Sequence, residues 1–297
     1  MTALGVAAFQ FDPKIGEVEA NLERIEDAAR EAAERGAVLI VAPEASVTGY
    51  AFDSLEEAVP VARHADAVAP DRLSAVAAEG GITVIAGSLE AAGEEVHNVA
   101  LIALPSGERL RYRKLHLPFL GVDRFATPGD QPPFVFELEN GLRVGVLICY
   151  DLRFPEAARV CALDGADLIC LPTNWPIGVE FHPDLFAPAR AAENHCYLLA
   201  ADRIGEERGT RFLGRSLLVD PDGRRIAVAS DTDEELLFGH VEPEAARATH
   251  VRRRPGIHEW DTIADRRPGL YERLLAPGID RLHPPTATVW SGDTGDR

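Results

Sequence analysis

The stretch Ala37-Val38-Leu39-Ile40-Val41-Ala42-Pro43-Glu44 decides how the rest of the chain is read. Six apolar residues in a row suit a strand covered on both faces, since a half-exposed strand would alternate. The run stops at Pro43, and a carboxylate follows at its carboxyl end. Working outward, Leu4 to Phe9 reads as an earlier buried strand. Between the two, Val18 to Arg35 carries Leu22, Ile25 and Ala29 at helical spacing. Two further helical stretches, about 54–66 and 70–80, lead to a strand at Ile82 to Ala86. Strands alternating with helices put helices on the outer faces of a sheet.

Hairpins interrupt that alternation. Val96 to Pro105 and Arg109 to Arg113 flank Ser106-Gly107, and Phe134 to Leu138 and Arg143 to Cys149 flank Asn140-Gly141. Asn-Gly supplies the positive φ angles of a type I′ turn. After Cys149 the chain turns through Tyr150 to Phe154 into a helix begun by Pro155, a favoured first helical position. Asp167 to Leu171 reads as a strand, about 185–194 as a helix and His195 to Ala201 as a strand. Ser216 to Asp220 and Arg224 to Ala229 flank the turn Pro221-Asp222-Gly223. The expectation is an α/β chain with a mixed sheet, or two sheets, faced by helices. One domain is expected over residues 1–283, and a loose tail rich in Pro, Thr, Gly and Asp over 284–297.

A formal charge of -18 argues against a nucleic-acid partner, because a phosphate backbone would be repelled. No apolar run approaches the roughly 18 residues of a membrane span, and no basic-then-apolar leader opens the chain. The cysteines Cys149, Cys161, Cys170 and Cys196 show no Cys-x-x-Cys spacing. They fit thiols in a reducing compartment better than a disulfide framework, so the cytoplasm is expected.

Only two of the 30 basic residues are lysines, Lys14 and Lys114. A lysine retained among arginines points to a compact ammonium on a flexible stem, which guanidinium does not reproduce. Glu44, Lys114 and Cys149 each follow or close an expected strand, where ligand sites of α/β sheets gather. A thiol near a cation or a helix N-terminus is driven toward thiolate, and a buried carboxylate can exchange its proton. Blander readings exist for each residue taken alone. Cys149 could be a small buried hydrophobe, and Glu44 a helix cap or an arginine partner. Cys161, Cys170 and Cys196 read as core packing, and His116 as a local hydrogen-bonding group, the alternative being that it orients Lys114. The sequence has no His-x-x-x-His spacing and no glycine-rich phosphate loop.

Three blocks in order, Ala42-Pro43-Glu44, Arg113-Lys114-Leu115-His116-Leu117 and Gly145 to Glu156 around Cys149, resemble the signatures of the nitrilase superfamily, the carbon–nitrogen hydrolases. Gly165 to Ile169, Pro172-Thr173-Asn174-Trp175, Arg190 to Asn194 and Gly214-Arg215-Ser216 are similar to its later blocks. The resemblance implies a four-layer α-β-β-α sandwich, often paired as a homodimer or higher homo-oligomer. It implies catalysis by a Glu base, a Lys and a Cys nucleophile through a thioester, with no metal or organic cofactor. Carried over, Glu44, Lys114 and Cys149 take those roles, and the main-chain N–H of Tyr150 joins Lys114 in an oxyanion hole. The family's second glutamate has no counterpart between Gly121 and Asp130, where Asp123 is the nearest candidate.

Cys149-Tyr150-Asp151-Leu152-Arg153 looks more like the amidase and Nit-type branches than the nitrilases proper, so a small-molecule amide is the expected substrate. Arg153 stands where carbamoylase-like members hold a substrate carboxylate, which implies an ω-amide or an N-carbamoyl amino acid; the alternative is an ion pair with Glu156 or another surface acid. Asn174 and Trp175 join Arg153 as candidate substrate contacts. The rival readings are a nitrile-hydrolysing member, an acyl-transferring member, and a non-catalytic scaffold of the same fold.

Overall fold

The computed structural model describes residues 3–276, so the tail expected over 284–297 lies outside the described residues. Residues up to Thr249 form one compact unit, and the chain from His250 forms a second. The first unit opens with β1 (Leu4–Gln10), α1 (Val18–Glu34), β2 (Ala37–Val41), α2 (Leu55–Gly80), β3 (Thr83–Ala92), β4 (Glu95–Ala103) and β5 (Arg109–Arg113). It continues with β6 (Val135–Glu137), β7 (Arg143–Val146), α3 (Pro155–Leu163), β8 (Leu168–Pro172), α4 (Ala187–Asn194) and β9 (Tyr197–Ala201). A small ribbon, β10 (Glu206–Glu207) and β11 (Thr210–Arg211), precedes β12 (Leu217–Val219), β13 (Arg225–Val228) and β14 (Glu235–Val241). In the second unit β15 (His250–Arg254) pairs with β16 (His258–Asp261), and a 3-10 turn lies at Glu272–Leu275.

Two six-stranded sheets result, ordered β14-β1-β2-β3-β4-β5 and β13-β12-β9-β8-β7-β6. Each has a parallel centre, β1-β2-β3 or β7-β8-β9, with antiparallel strands outside it. The opening stretch explains why the sheets stack. Leu39 and Val41 join Val6, Ala8 and Ile85 in a core cluster with Val144, Val146, Leu171 and Leu198 of the second sheet. Ile40 and Ala42 point the other way, into a cluster with Leu22, Ile25 and Ala29 of α1 and Leu73 and Val76 of α2. Helices α3 and α4 cover the second sheet, so the layers run α-β-β-α. Among the described residues no helix is long and apolar enough to cross a membrane.

Two elements differ from the sequence expectation. The two helical stretches about residues 54–66 and 70–80 are one helix, α2, with Pro60 and Pro70 inside it. A helix-interior proline costs about 3 kcal/mol, but Ala62, Ala65, Ala69, Leu73 and Val76 keep one face buried straight through Pro70. Packing of that face outweighs the lost bond. Strand β14 gave no clear sequence signal, because much of it is half exposed; it closes the first sheet against β1.

The sheets are built to bring Glu44 close to β3. The Gly87 N–H donates to the Pro43 carbonyl (3.1 Å), and the Gly87 carbonyl accepts from the Val47 N–H (3.0 Å). A Cβ on Gly87 would lie 2.5 Å from Glu44 Cα and closer still to the Ala45 nitrogen and the Pro43 oxygen. Backbone cannot yield as a flexible side chain can. Gly87→Ala is therefore expected to lose about 1–3 kcal/mol of stability in denaturant unfolding, the range for overpacking, and to lose turnover as well. A variant with unchanged midpoint and activity would contradict this close approach.

Candidate active site

Strand β5 lies two antiparallel steps from β3, so it runs parallel to β1, β2 and β3. The loops after β2 and β5 therefore leave the first sheet at one end, carrying Glu44 and Lys114. Cys149 follows β7, and Asn174 follows β8. The parallel strands deliver all four groups from their carboxyl ends, as open α/β sheets do.

Lys114 is almost wholly buried, at 1% exposure, and so are Glu44 at 0% and Asp123 at 4%. The Lys114 Nζ donates to Glu44 Oε1 and to Asp123 Oδ2, both at 2.5 Å. Asn98 bridges the same two carboxylates, donating to Glu44 Oε1 (2.7 Å) and Asp123 Oδ1 (2.9 Å). The Tyr50 hydroxyl donates to Asp123 Oδ2 (2.9 Å). Asp123 comes from a 3-10 turn, Gly121–Arg124, whose first residue has φ 50 and would press any Cβ to within 2.5 Å of the Tyr50 ring. Burial opposes the Lys114 charge, but Asp123 and Glu44 outweigh it and hold the ammonium well above its usual range. Burial pushes Glu44 up, helped by Asp123 and resisted by Lys114. Glu44 Oε2 keeps no hydrogen-bond partner among the described residues.

Cys149 opens a 3-10 turn, Cys149–Arg153, with φ 44, a left-handed value that a non-glycine residue rarely adopts. Tyr150 is second in that turn. The carbonyl that its N–H would reach lies before the helix begins, and it has no main-chain partner among the described residues. Burial, with the Glu44 charge, pushes the Cys149 thiol well above its usual range. Lys114, the Thr173 hydroxyl and the Asn174 N–H pull the other way without prevailing. This corrects the expectation that a nearby cation would make Cys149 a thiolate. That direction favours a thiol from which a base takes the proton.

Arg153 is exposed and makes no ion pair with Glu156. Its guanidinium carbon lies 5.9, 5.2 and 5.5 Å from the ring centroids of Tyr150, Phe181 and Phe186, and no carboxylate among the described residues pairs with it. Asn174 turns its amide nitrogen to the Glu44 carbonyl (2.9 Å), and its Oδ1 has no partner among the described residues. Trp175 is buried with its indole N–H likewise unpartnered, and it stacks on His182 at 5.7 Å. Burial pushes His182 down to about 4, so its ring is uncharged near neutral pH. Cys161, Cys170 and Cys196 are buried free thiols of the core.

The sequence reading missed Tyr50 and Asn98. Asn98 left one signal, a polar residue inside the apolar run Val96 to Ala103, whereas Tyr50 left none. Tyr50 is held from behind by Glu207, whose Oε2 accepts from the N–H groups of Tyr50 (2.9 Å) and Ala51 (2.5 Å). Among the described residues no group of three or more His, Cys, Asp or Glu is arranged to hold a metal ion.

Residues 5–251 match the family model of the carbon-nitrogen hydrolases. The chain belongs to that family. A nitrilase of Pyrococcus abyssi is 37% identical over 270 residues, covering 90% of this chain and 99% of that protein. A 2-oxoglutaramate amidase of Bacillus subtilis is 31% identical over 224 residues, covering 75% of this chain and 85% of that protein. Among solved structures, a mutant amidase from Nesterenkonia sp. AN1 showing the Michael addition of acrylamide at its active-site cysteine superposes with a TM-score of 0.78. It is 30% identical, and the match covers 91% of this chain and 99% of that one. This carbon-nitrogen hydrolase is thus an enzyme of amidase type, acting on non-peptide C–N bonds through an active-site cysteine.

Asp123→Ala would leave the Lys114 ammonium with one carboxylate and strand the Tyr50 hydroxyl. Breaking a buried charge pair costs about 3–5 kcal/mol, and a loss of that size is expected in guanidinium unfolding. A loss under about 1 kcal/mol would show that Lys114 does not depend on Asp123.

Proposed function

We propose that Cys149 is the nucleophile, Glu44 the general base and acid, and Lys114 with the Tyr150 N–H the oxyanion hole. Glu44 takes the thiol proton as Sγ bonds to the amide carbon, and the carbonyl electrons move onto oxygen. Lys114 and the Tyr150 N–H hold that oxyanion. Glu44 returns the proton to nitrogen, the C–N bond breaks, and ammonia or an amine leaves a thioester on Cys149. Water then gives a proton to Glu44 and attacks the thioester, and the departing thiolate regains its proton as the acid is released. A thiol held above its usual range supports this order, since it requires a base at each turnover. Asp123 takes the place that the resemblance gives to a second glutamate, keeping Lys114 charged. Losing one oxyanion donor would cost roughly 3–4 kcal/mol, about a hundredfold to a thousandfold in rate.

The substrate we infer is a small amide carrying a carboxylate, of the ω-amide or N-carbamoyl amino acid type. The carrying observation is Arg153, four residues past Cys149, with a guanidinium backed by three rings and paired with no carboxylate among the described residues. A planar fork in that state is matched to a carboxylate. The likeness to a 2-oxoglutaramate amidase supports the same reading. Asn174 and Trp175, each with an unpartnered polar atom, would line the same site.

Two outcomes are expected. Arg153→Leu should raise KM at least tenfold for succinamate or α-ketoglutaramate and leave propionamide unchanged; an equal effect on both classes would remove the carboxylate. The base must be ionised to act, so kcat/KM should fall as acid protonates Glu44. Because burial raises that carboxyl, the acid limb should lie above the ordinary value of 4.5, and a limb at or below it would contradict Glu44 as the base.

A further inference from the structure

Asp151 is fully buried, two residues past the nucleophile, and takes no part in the chemistry above. Its Oδ1 accepts from the main-chain N–H of His116 (3.0 Å) and from His116 Nδ1 (2.7 Å). Its Oδ2 accepts from the Tyr112 hydroxyl (2.8 Å) and from the main-chain N–H of Ile148 (3.1 Å). Tyr112 and His116 lie two residues either side of Lys114, and Ile148 directly precedes Cys149. One carboxylate therefore ties the lysine segment of the first sheet to the cysteine turn of the second. The His116 ring also stacks on Phe154, 3.6 Å between centroids and 11° from parallel, at the end of the same turn. Asp123, Asn98 and Glu44 fix the Lys114 head, but all of them belong to the first-sheet side.

We propose that Asp151 is the positioning residue that sets Lys114 against Cys149, so that the ammonium meets the oxyanion formed on that sulfur's substrate. The inference rests on the roles assigned above to Lys114 and Cys149. Aspartate is needed because all four groups facing it donate, and two of them are main-chain N–H groups that cannot turn away. In Asp151→Asn the side chain keeps one acceptor oxygen. The Tyr112 hydroxyl can rotate and His116 can change tautomer, but the new NH2 must face either the His116 N–H or the Ile148 N–H. One strand end is then pushed out of register whichever way the amide lies.

The test compares turnover of succinamate with alkylation of Cys149 by iodoacetamide, in wild type, Asp151→Asn, His116→Ala and Cys149→Ala. Alkylation needs the sulfur and its base but forms no oxyanion. A misplacement of about 1 Å can cost about a hundredfold. In Asp151→Asn, kcat should fall about tenfold to a hundredfold, with KM within about threefold of wild type. Alkylation, which depends on the sulfur and its base but not on the oxyanion, should fall at least about threefold less than kcat. In His116→Ala, which keeps the main-chain N–H, the same split should appear with a smaller fall. A fall in kcat matched by an equal fall in alkylation would overturn the proposal, as general damage to the site. So would an unchanged kcat in Asp151→Asn, or, should that variant not fold, in His116→Ala. Turnover surviving in Cys149→Ala would sink the underlying reading and this inference with it. An inert Cys149→Ala beside a fully active Asp151→Asn would overturn the positioning role alone.

Discussion

A buried ammonium must be paired or lose its charge, and Lys114 is paired twice, to Glu44 and Asp123 at 2.5 Å each. Taking such ions out of water costs several kcal/mol per ion, and only close, fully hydrogen-bonded partners repay it. Asn98 adds a bond to Glu44 Oε1 and one to Asp123 Oδ1, and Tyr50 adds one to Asp123 Oδ2. The result is one fixed positive charge in a dry place, where it acts more strongly on a developing negative charge than it would in water. Glu44 is divided by the same arrangement. Its Oε1 is occupied by Lys114 and Asn98, and its Oε2 stays unpartnered among the described residues.

Much of the surrounding backbone follows from holding that cluster dry. Gly87 lets β3 run against the Glu44 turn, and Gly121 leaves room for the Tyr50 ring. Glu207 holds Tyr50 by its N–H and is itself close to Arg203, which also donates to Asp12 (2.7 Å) and packs on Phe212 at 4.4 Å. A run of polar groups thus reaches from the cluster through Tyr50, Glu207 and Arg203 to the half-buried Asp12. The left-handed Cys149 belongs to the same pattern. Strain at a single residue persists where its neighbours fix it, and here Ile148 and Asp151 are bonded on either side.

The sequence made the layers legible because burial on two faces writes an uninterrupted apolar run, as in Ala37 to Ala42. It made Glu44, Lys114 and Cys149 legible because strand ends and residue types coincide in order. It did not reveal β14, whose half-exposed residues carry little apolar signal, nor the continuity of α2, where tertiary packing overrides Pro70. Asp123 was visible only as a short acid in the right interval, and the structure brings it onto Lys114. Tyr50 and Glu207 were invisible, since their link spans more than 150 residues of chain and rests on main-chain N–H groups. The Cys149 thiol was misread for a related reason. The cation was foreseen, but the desolvation that outweighs it depends on packing that no local pattern records.

The most direct measurement is mass spectrometry of wild-type protein, rapidly acid-quenched during turnover of succinamate. The account predicts a succinyl adduct on the peptide containing Cys149, cleaved by hydroxylamine as a thioester and absent from the Cys149→Ala protein. Succinylation of another residue, or wild-type turnover that survives in Cys149→Ala, would contradict it.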